Sequence, residues 1–254
     1  MLLALDIGNT TITLGLYDGE KPGPRWRLET VRSRLADEYA LTLLALLSNA
    51  GLSKGDVKDA AVASVVPPLT GTWVEVCRRV LGVEPLVVEP GVKTGVRVLY
   101  EDPKQVGADR IVNAAAVKEF WGGPACIVDF GTGTTFDALS ARGEYLGGAI
   151  APGIGIAAEA LHARAAKLPR VDLARPPFAI GRNTEHAIQS GLLFGYVGLV
   201  EGMVARFRAE LGPETKVIAT GGYCEMLARE TPVLGILAPW LTLDGLRIIH
   251  ALNV

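Results

Sequence analysis

The most constraining feature of this chain is an internal echo. Residues 2–20 read LLALDIGNTTITLGLYDGE and residues 125–144 read ACIVDFGTGTTFDALSARGE. Each is an apolar strand ending in Asp, then Gly, then a Thr-rich turn, a second alternating strand and a Gly-Glu turn. The offset is 123 between Asp6 and Asp129 and 124 between Gly19 and Gly143, so the second copy carries one inserted residue. Self-similarity at a nearly fixed offset reports how a chain is built. Here the built unit is a duplicated β-hairpin.

The segments after the two hairpins are also alike. Period-two patterning predicts a third strand over Arg25–Thr30 and over Tyr145–Ile150, and helical patterns then alternate with short β-branched runs. In the first half Asp37 is placed to cap a helix carrying Ala40, Leu43, Leu44 and Leu47, which Gly51 stops. Strands are predicted over Ala60–Val66 and Pro85–Val88, with helices over Pro68–Leu81 and Gln105–Phe120. The second half adds a helix after Pro152, a long one over Thr184–Leu211, a strand over Lys216–Ala219 and a helix from Gly222. Two β-β-β-α-β-α halves, each opening on an Asp-x-Gly turn, describe an α/β fold of duplicated ribonuclease-H-like domains, the actin-like ATPase architecture, with a nucleotide held between the halves. Phe120-Trp121-Gly122-Gly123-Pro124 breaks the helical pattern. The domains expected are therefore residues 1–120 and 121–254.

Composition excludes several classes of partner. The 25 basic and 27 acidic residues nearly cancel, leaving no dense basic patch for a nucleic-acid backbone. Only the four apolar residues Leu2–Leu5 lie between Met1 and Asp6, with no basic leader or cleavage site. No apolar run approaches the roughly 20 residues of a membrane span, so no membrane partner is expected. Cys77, Cys126 and Cys224 are far apart and lack CxxC spacing, which fits free thiols in a reducing, cytoplasmic setting.

The two Asp-bearing turns have the chemistry of a phosphate site. Small residues let backbone N–H groups approach oxyanions, and hydroxyls add donors without bulk. Asn9, Thr10 and Thr11 supply one set; Gly131, Thr132, Gly133, Thr134 and Thr135 supply the other. Mg²⁺ needs only one or two carboxylates beyond the nucleotide's own phosphates, and Asp6 and Asp129 are the candidates. A single turn of this kind is as readily an ordinary hairpin with an Asx turn; two at matching places favour a nucleotide. The Walker pattern is absent. Gly153-Ile154-Gly155-Ile156-Ala157-Ala158 fits a dinucleotide fingerprint, but no acid-terminated strand comes about twenty residues on. A tight strand-to-helix turn is the better use of it.

His162, His186 and His250 lie in helical stretches without metal-ligand spacing, and Glu159 reads as a solvated helical acid. The long helix from Thr184 is less ordinary. Gly191, Gly195, Gly198 and Gly202 recur three or four residues apart, and each costs about 1 kcal/mol relative to Ala. Close approach of another helix would offset that. With the neighbouring stripe Ile188, Leu192, Leu199, Met203 and Phe207, it predicts a homodimer packed on this helix.

Across essentially its whole length the chain resembles type III pantothenate kinases. The motifs are Asp6-x-Gly-Asn-Thr-Thr, Gly107-Ala-Asp-Arg110, Asp129-x-Gly-Thr-x-Thr-Thr135, Gly147-Gly-x-Ile-x-Pro-Gly153, Asn183-Thr184 with Ser190-Gly191, Thr220-Gly-Gly222 and Leu241-Thr-Leu-Asp-Gly-Leu246. Phe130 and Gly133 depart from the alanines more usual there, at backbone-framing positions. The resemblance implies transfer of the ATP γ-phosphoryl group to pantothenate, the first step toward coenzyme A. By that resemblance Asp109 is the catalytic base, and Gly107, Ala108 and Arg110 bind pantothenate beside it. Tyr100 contacts the substrate, and Thr184 reaches it from the partner subunit. Asp6, Ile7, Gly8, Asn9, Thr10, Thr11, Ile12, Thr13 and Thr132 form the ATP site. Asp129 holds a monovalent cation, K⁺ or NH₄⁺, so its role stays divided between that ion and the Mg²⁺ reached from the residues alone. On residue chemistry alone Asp109-Arg110 is an ordinary pair at a helix start. Two rivals remain: another small-molecule kinase of this fold, and a non-catalytic transcriptional-activator relative.

Overall fold

The alternating apolar runs form the strands they predict. A computed structural model describes residues 1–254. In the first half β1 (Leu2–Ile7), β2 (Thr11–Asp18) and β3 (Lys21–Glu29) make an antiparallel meander, succeeded by α1 (Ala36–Asn49), β4 (Asp59–Ser64), α2 (Pro67–Val76), β5 (Leu86–Val87) and α3 (Ala108–Phe120). The second half repeats the plan with β6 (Ala125–Phe130), β7 (Gly133–Leu139), β8 (Tyr145–Pro152), α4 (Ile154–Arg164), α5 (Thr184–Leu211), β9 (Lys216–Gly221), α6 (Cys224–Ala228), β10 (Ile236–Leu237) and α7 (Leu241–Ala251). The two sheets have the same order, β3-β2-β1-β4-β5 and β8-β7-β6-β9-β10, and β1 and β6 each pair in parallel with the strand beyond the crossover. The duplication expected from the hairpins is thus a duplication of whole sheets.

Side-chain alternation sorts each sheet into two faces. In the first, Leu3, Leu5, Ile7, Ile12, Leu14, Leu16 and Val62 pack with Tyr39, Leu43 and Leu47 of α1 and Leu69, Trp73 and Val76 of α2. The opposite face is kept low by Ala4, Gly15 and Ala61, which stand side by side in the register. α7 lies on it, with Leu243 Cδ1 2.7 Å from where a Cβ on Gly15 would stand. In the second sheet Cys126, Val128, Phe130, Phe136, Val217 and Ala219 pack with Leu193, Val197, Val200 and Val204 of α5.

The chain divides into two compact units. The first is Met1–Arg97, Glu101–Ala116 and Leu241–Val254; the second is Val98–Tyr100 and Val117–Trp240. These units differ from a simple cut between residues 120 and 121. The reason is α7: its Leu241, Leu243, Leu246 and Ile249 are buried, and the face they cover belongs to β1, β2 and β4.

Local details also differ from expectation. β3 begins at Lys21, not Arg25, because the two-residue turn at Gly19 (φ +60) lets Asp18 pair directly with Lys21. Asp37 does not cap α1. The helix starts at Ala36, and Glu38 Oε2 accepts the Leu35 N–H at 2.8 Å, leaving Asp37 in the exposed first turn. The helix expected over residues 68–81 is α2 continued by a π-helical turn, Cys77–Leu81, ended by Gly82 in the left-handed region. The stripe beside the α5 glycines also packs within the chain: Ile188 and Leu192 pack with Ile154, and Leu199, Met203 and Phe207, partly buried, lie against the second core. α5, at 28 residues, is also long and apolar enough to cross a membrane by length and composition, contrary to the expectation that no run approaches that length. Its buried residues include Leu193, Val197, Val200 and Val204, which face the second sheet.

Candidate active site

In the first unit the predicted residues gather at the C-terminal edge of β1 and β4, where parallel strands of α/β folds present their ligand sites. Ile7 pairs with Ser64, and the Val65 N–H donates to the Ile7 carbonyl at 3.1 Å. The turn between β1 and β2 is tight, with the Gly8 N–H on the Thr11 carbonyl at 3.0 Å. It is held from outside by the segment after β3. The Thr30 hydroxyl donates to the Gly8 carbonyl at 2.7 Å, the Thr30 N–H to the Thr10 carbonyl at 2.9 Å, and the Arg32 guanidinium to Asn9 Oδ1 at 2.9 Å. Asn9 and Thr10 are exposed while Ile7 and Ile12 are buried. The polar half of the turn therefore faces outward from an apolar anchor.

Gly107-Ala108-Asp109-Arg110 opens α3 beside this edge. The Arg110 and Ile111 N–H groups donate to the Gly107 carbonyl, so Gly107 stands just before the first turn. Asp109 lies inside that turn, its Oδ1 accepting the Arg110 N–H at 2.8 Å. A Cβ on Gly107 would lie 2.5 Å from Asp109 Oδ1 and 3.6 Å from Val65 Cγ1. The glycine thus makes room for the carboxylate and brings the segment against the residue just past β4. Arg110 is 8% exposed, a depth at which Arg is seldom found without a role for its charge.

In the second unit the matching turn is framed by glycines. Asp129 pairs with Thr220, and a Cβ on Gly221 would lie 2.5 Å from Asp129 Oδ1. The Gly153 N–H donates to the Thr132 carbonyl at 3.0 Å, and a Cβ on Gly153 would overlap that same carbonyl. Pro152 ends β8 and Gly153 caps α4, so Pro152-Gly153-Ile154-Gly155 is the strand-to-helix turn expected, with Gly153 pressed onto the Gly131-Thr132 backbone. Tyr100 also belongs to this unit, whereas Gly107–Arg110 belongs to the first. Thr184 opens α5 behind the cap Asn183, whose Oδ1 accepts the His186 N–H at 2.8 Å. It lines a groove of about 690 Å³ with Leu161, Leu168, Arg182 and Ile188.

Thr30, Arg32 and Val65 are framing residues that motif reading does not single out, whereas Gly221 falls within the Thr220-Gly-Gly222 motif. For Thr30 a signal exists: Thr11 pairs with Glu29, so the antiparallel ladder carries the next residue to Thr10. Val65 has no local signal, since parallel pairing across a crossover brings it in.

No group of three or more His, Cys, Asp or Glu side chains converges anywhere in the chain. Asp6 in the first unit and Asp129 in the second are each half-buried at a strand end, and a carboxylate is the kind of donor a hard cation takes.

Comparison with known proteins decides the family. A family model of type III pantothenate kinases matches residues 2–206. The type III pantothenate kinase of Moorella thermoacetica is 52% identical over 253 residues, covering all of both chains, and that of Geobacillus sp. strain WCH70 is 49% identical over 254 residues, covering 98% of its length. The chain belongs to the type III pantothenate kinase family. The fold has wider relatives. A Baf family transcriptional activator from Campylobacter jejuni aligns with a TM-score of 0.62 at 19% identity, covering 99% of this chain and 98% of that one. The polyphosphate/ATP-glucomannokinase of Arthrobacter sp. strain KM aligns at 0.52 with 16% identity, covering 100% and 99%. At such identities these show the shared fold alone. Within the pantothenate kinase family, the kinase architecture expected from the duplicated hairpins is the one found.

Proposed function

We propose that this chain transfers the γ-phosphoryl group of ATP to the primary hydroxyl of pantothenate, giving 4'-phosphopantothenate, the first step toward coenzyme A. The carrying observation is full-length identity of about one half to proteins named for that activity.

In this reading the Asp6–Thr13 turn and Thr132 bind ATP. Tyr100 and Gly107, Ala108 and Arg110 bind pantothenate, and Asp109 takes the hydroxyl proton. Phosphoryl transfer rests on positioning and charge neutralisation, with a base needed late. Asp109 sits in the first turn of α3, where the Arg110 N–H donates to its carboxylate and the positive end of the helix favours its charge, and the Gly107 backbone leaves it space. Arg110 offers a planar donor fork to a substrate carboxylate or phosphate oxygen. Mg²⁺, held at Asp6, would neutralise charge on the transferring phosphate. Asp129 would hold a monovalent cation, K⁺ or NH₄⁺, or share the Mg²⁺.

Three of the four α5 glycines, Gly191, Gly195 and Gly198, face open space within the chain. That supports a homodimer packed on α5, bringing Thr184 to the site of the second copy. A monomer in sedimentation at micromolar concentration would reject it. The free thiols Cys77, Cys126 and Cys224 support a cytoplasmic setting.

The test is to incubate the purified protein with ATP, Mg²⁺, K⁺ and pantothenate and to follow product by mass. Formation of 4'-phosphopantothenate is expected. No product, or equal turnover of unrelated alcohols, would overturn the reading.

A further inference from the structure

Asp137 of β7 is completely buried. Its Oδ1 accepts the Tyr145 hydroxyl at 2.7 Å and its Oδ2 the Thr135 hydroxyl at 3.1 Å. A carboxylate in a core is costly unless its oxygens are satisfied, so a fold that keeps one is using it to fix something in place. The residue it fixes here is Tyr145, also completely buried, at the start of β8.

Tyr145 in turn holds the short segment Val98–Tyr100. The Leu99 N–H donates to the Tyr145 carbonyl at 2.8 Å, and Val98 bridges to Tyr145 in parallel. The Tyr100 ring lies against the Tyr145 ring, centroids 6.5 Å apart and planes at 51°. Two residues along β8, Gly147 borders the same ring: a Cβ there would stand 3.3 Å from Tyr100 Cδ2 and Cε2. Its φ of +124 is a conformation other residues rarely adopt. Tyr100 is thus held at its backbone and on its ring, while 36% of its surface stays open.

We propose that Asp137, Tyr145 and Gly147 are positioning residues that set the Tyr100 ring for pantothenate; this rests on the reading of Tyr100 as a substrate contact. A ring ordered before binding spares the complex the entropy of ordering it. The buried carboxylate is the fixed point, the Tyr145 hydroxyl transmits it, and the bare Cα of Gly147 defines how close the ring lies to β8.

The test uses the full chain labelled with 3-fluorotyrosine. Its six tyrosines give separate ¹⁹F signals, that of Tyr100 being the one lost in Tyr100→Phe. Tyr145→Phe and Gly147→Ala are each compared with wild type, without substrate for the spectrum and with it for kinetics. The Tyr100 signal is expected to shift and narrow in both variants. KM for pantothenate is expected to rise about threefold to tenfold, the worth of one aromatic contact, with KM for ATP within about twofold of wild type. An unmoved Tyr100 signal in both variants overturns the proposal whatever the activity. So does a moved signal with wild-type KM for pantothenate, when Tyr100→Ala does raise that KM. If Tyr100→Ala itself leaves KM for pantothenate unchanged, the substrate-contact reading has failed and the proposal falls with it, while the spectra still report whether β8 holds the ring.

Discussion

The Tyr17 hydroxyl donates a 2.6 Å hydrogen bond to Asp244 Oδ1, joining residues 227 positions apart. Arg25 stands 3.6 Å from the same carboxylate oxygen. The bond ties α7 to β2 on the side of the sheet kept low by Ala4, Gly15 and Ala61. Tyr17→Phe removes the donor and leaves a part-buried acceptor, a change worth about 1–3 kcal/mol. A fall of that size in urea-unfolding free energy is expected. An unchanged midpoint would show that the bond contributes nothing net.

The same residue predicts an alkaline signature. Burial, then the hydrogen bond to Asp244 and its negative charge, raise the Tyr17 pKa well above the ordinary value, with Arg25 acting in the opposite sense. A folded-state pKa above the unfolded one gives stability that is fully present below about pH 10 and lost as pH rises toward the folded value. Wild type should therefore lose stability more steeply above pH 10 than Tyr17→Phe does. Parallel pH profiles of the two proteins in that range would contradict this.

At the proposed base, Asp109→Asn keeps the shape of the side chain and removes its basicity. The expected result is a kcat lower by about 10²–10⁴, with KM for ATP little changed. A rate near wild type would move the proton acceptor elsewhere.

Gly153→Ala places a methyl group where the Thr132 carbonyl lies, so the second Asp turn must shift to admit it. Overpacking of this kind costs about 1–3 kcal/mol. If Thr132 serves ATP, KM for ATP should rise by about tenfold, the equivalent of roughly 1.4 kcal/mol. Lower thermal stability with an unchanged KM for ATP would separate Thr132 from the nucleotide.

Burial pushes the thiols of Cys77 and Cys126 up to about 12, and Cys224 is buried as well. Since the thiolate is the reactive form, all three cysteines should resist a disulfide reagent at pH 8 in the native protein and react together in denaturant. Fast labelling of one thiol in the native state would reveal local opening around it.

The duplicated sheets are legible in the sequence because their signal is local: each strand's alternation and each Asp-x-Gly turn is read within a few residues. The Asp109 segment is legible only by resemblance, for its physics alone is that of a helix start. The hidden part is long-range. Nothing in the string LTLDGLRIIHALNV says that Asp244 meets Tyr17, and nothing near Tyr145 says that it carries Tyr100. The apolar stripe of α5 is plain as a stripe, but its packing on Ile154 and the second sheet is not, because periodicity reports that a face is covered and not by which neighbour. The Asp37 cap fails for a smaller reason, since Leu35 takes the N-cap position, with its N–H on Glu38, and Asp37 falls inside the first turn.

The return of α7 to the first sheet sets an order of events during synthesis. A ribosome must make all of Val117–Trp240 before it supplies the helix that completes the earlier unit, an interval on the order of ten seconds at ordinary elongation rates. Throughout it the low face of β1, β2 and β4 stands uncovered, while the later unit already owns every segment it needs. The half written first is therefore the half finished last, and a chaperone that guards this chain would find its target there.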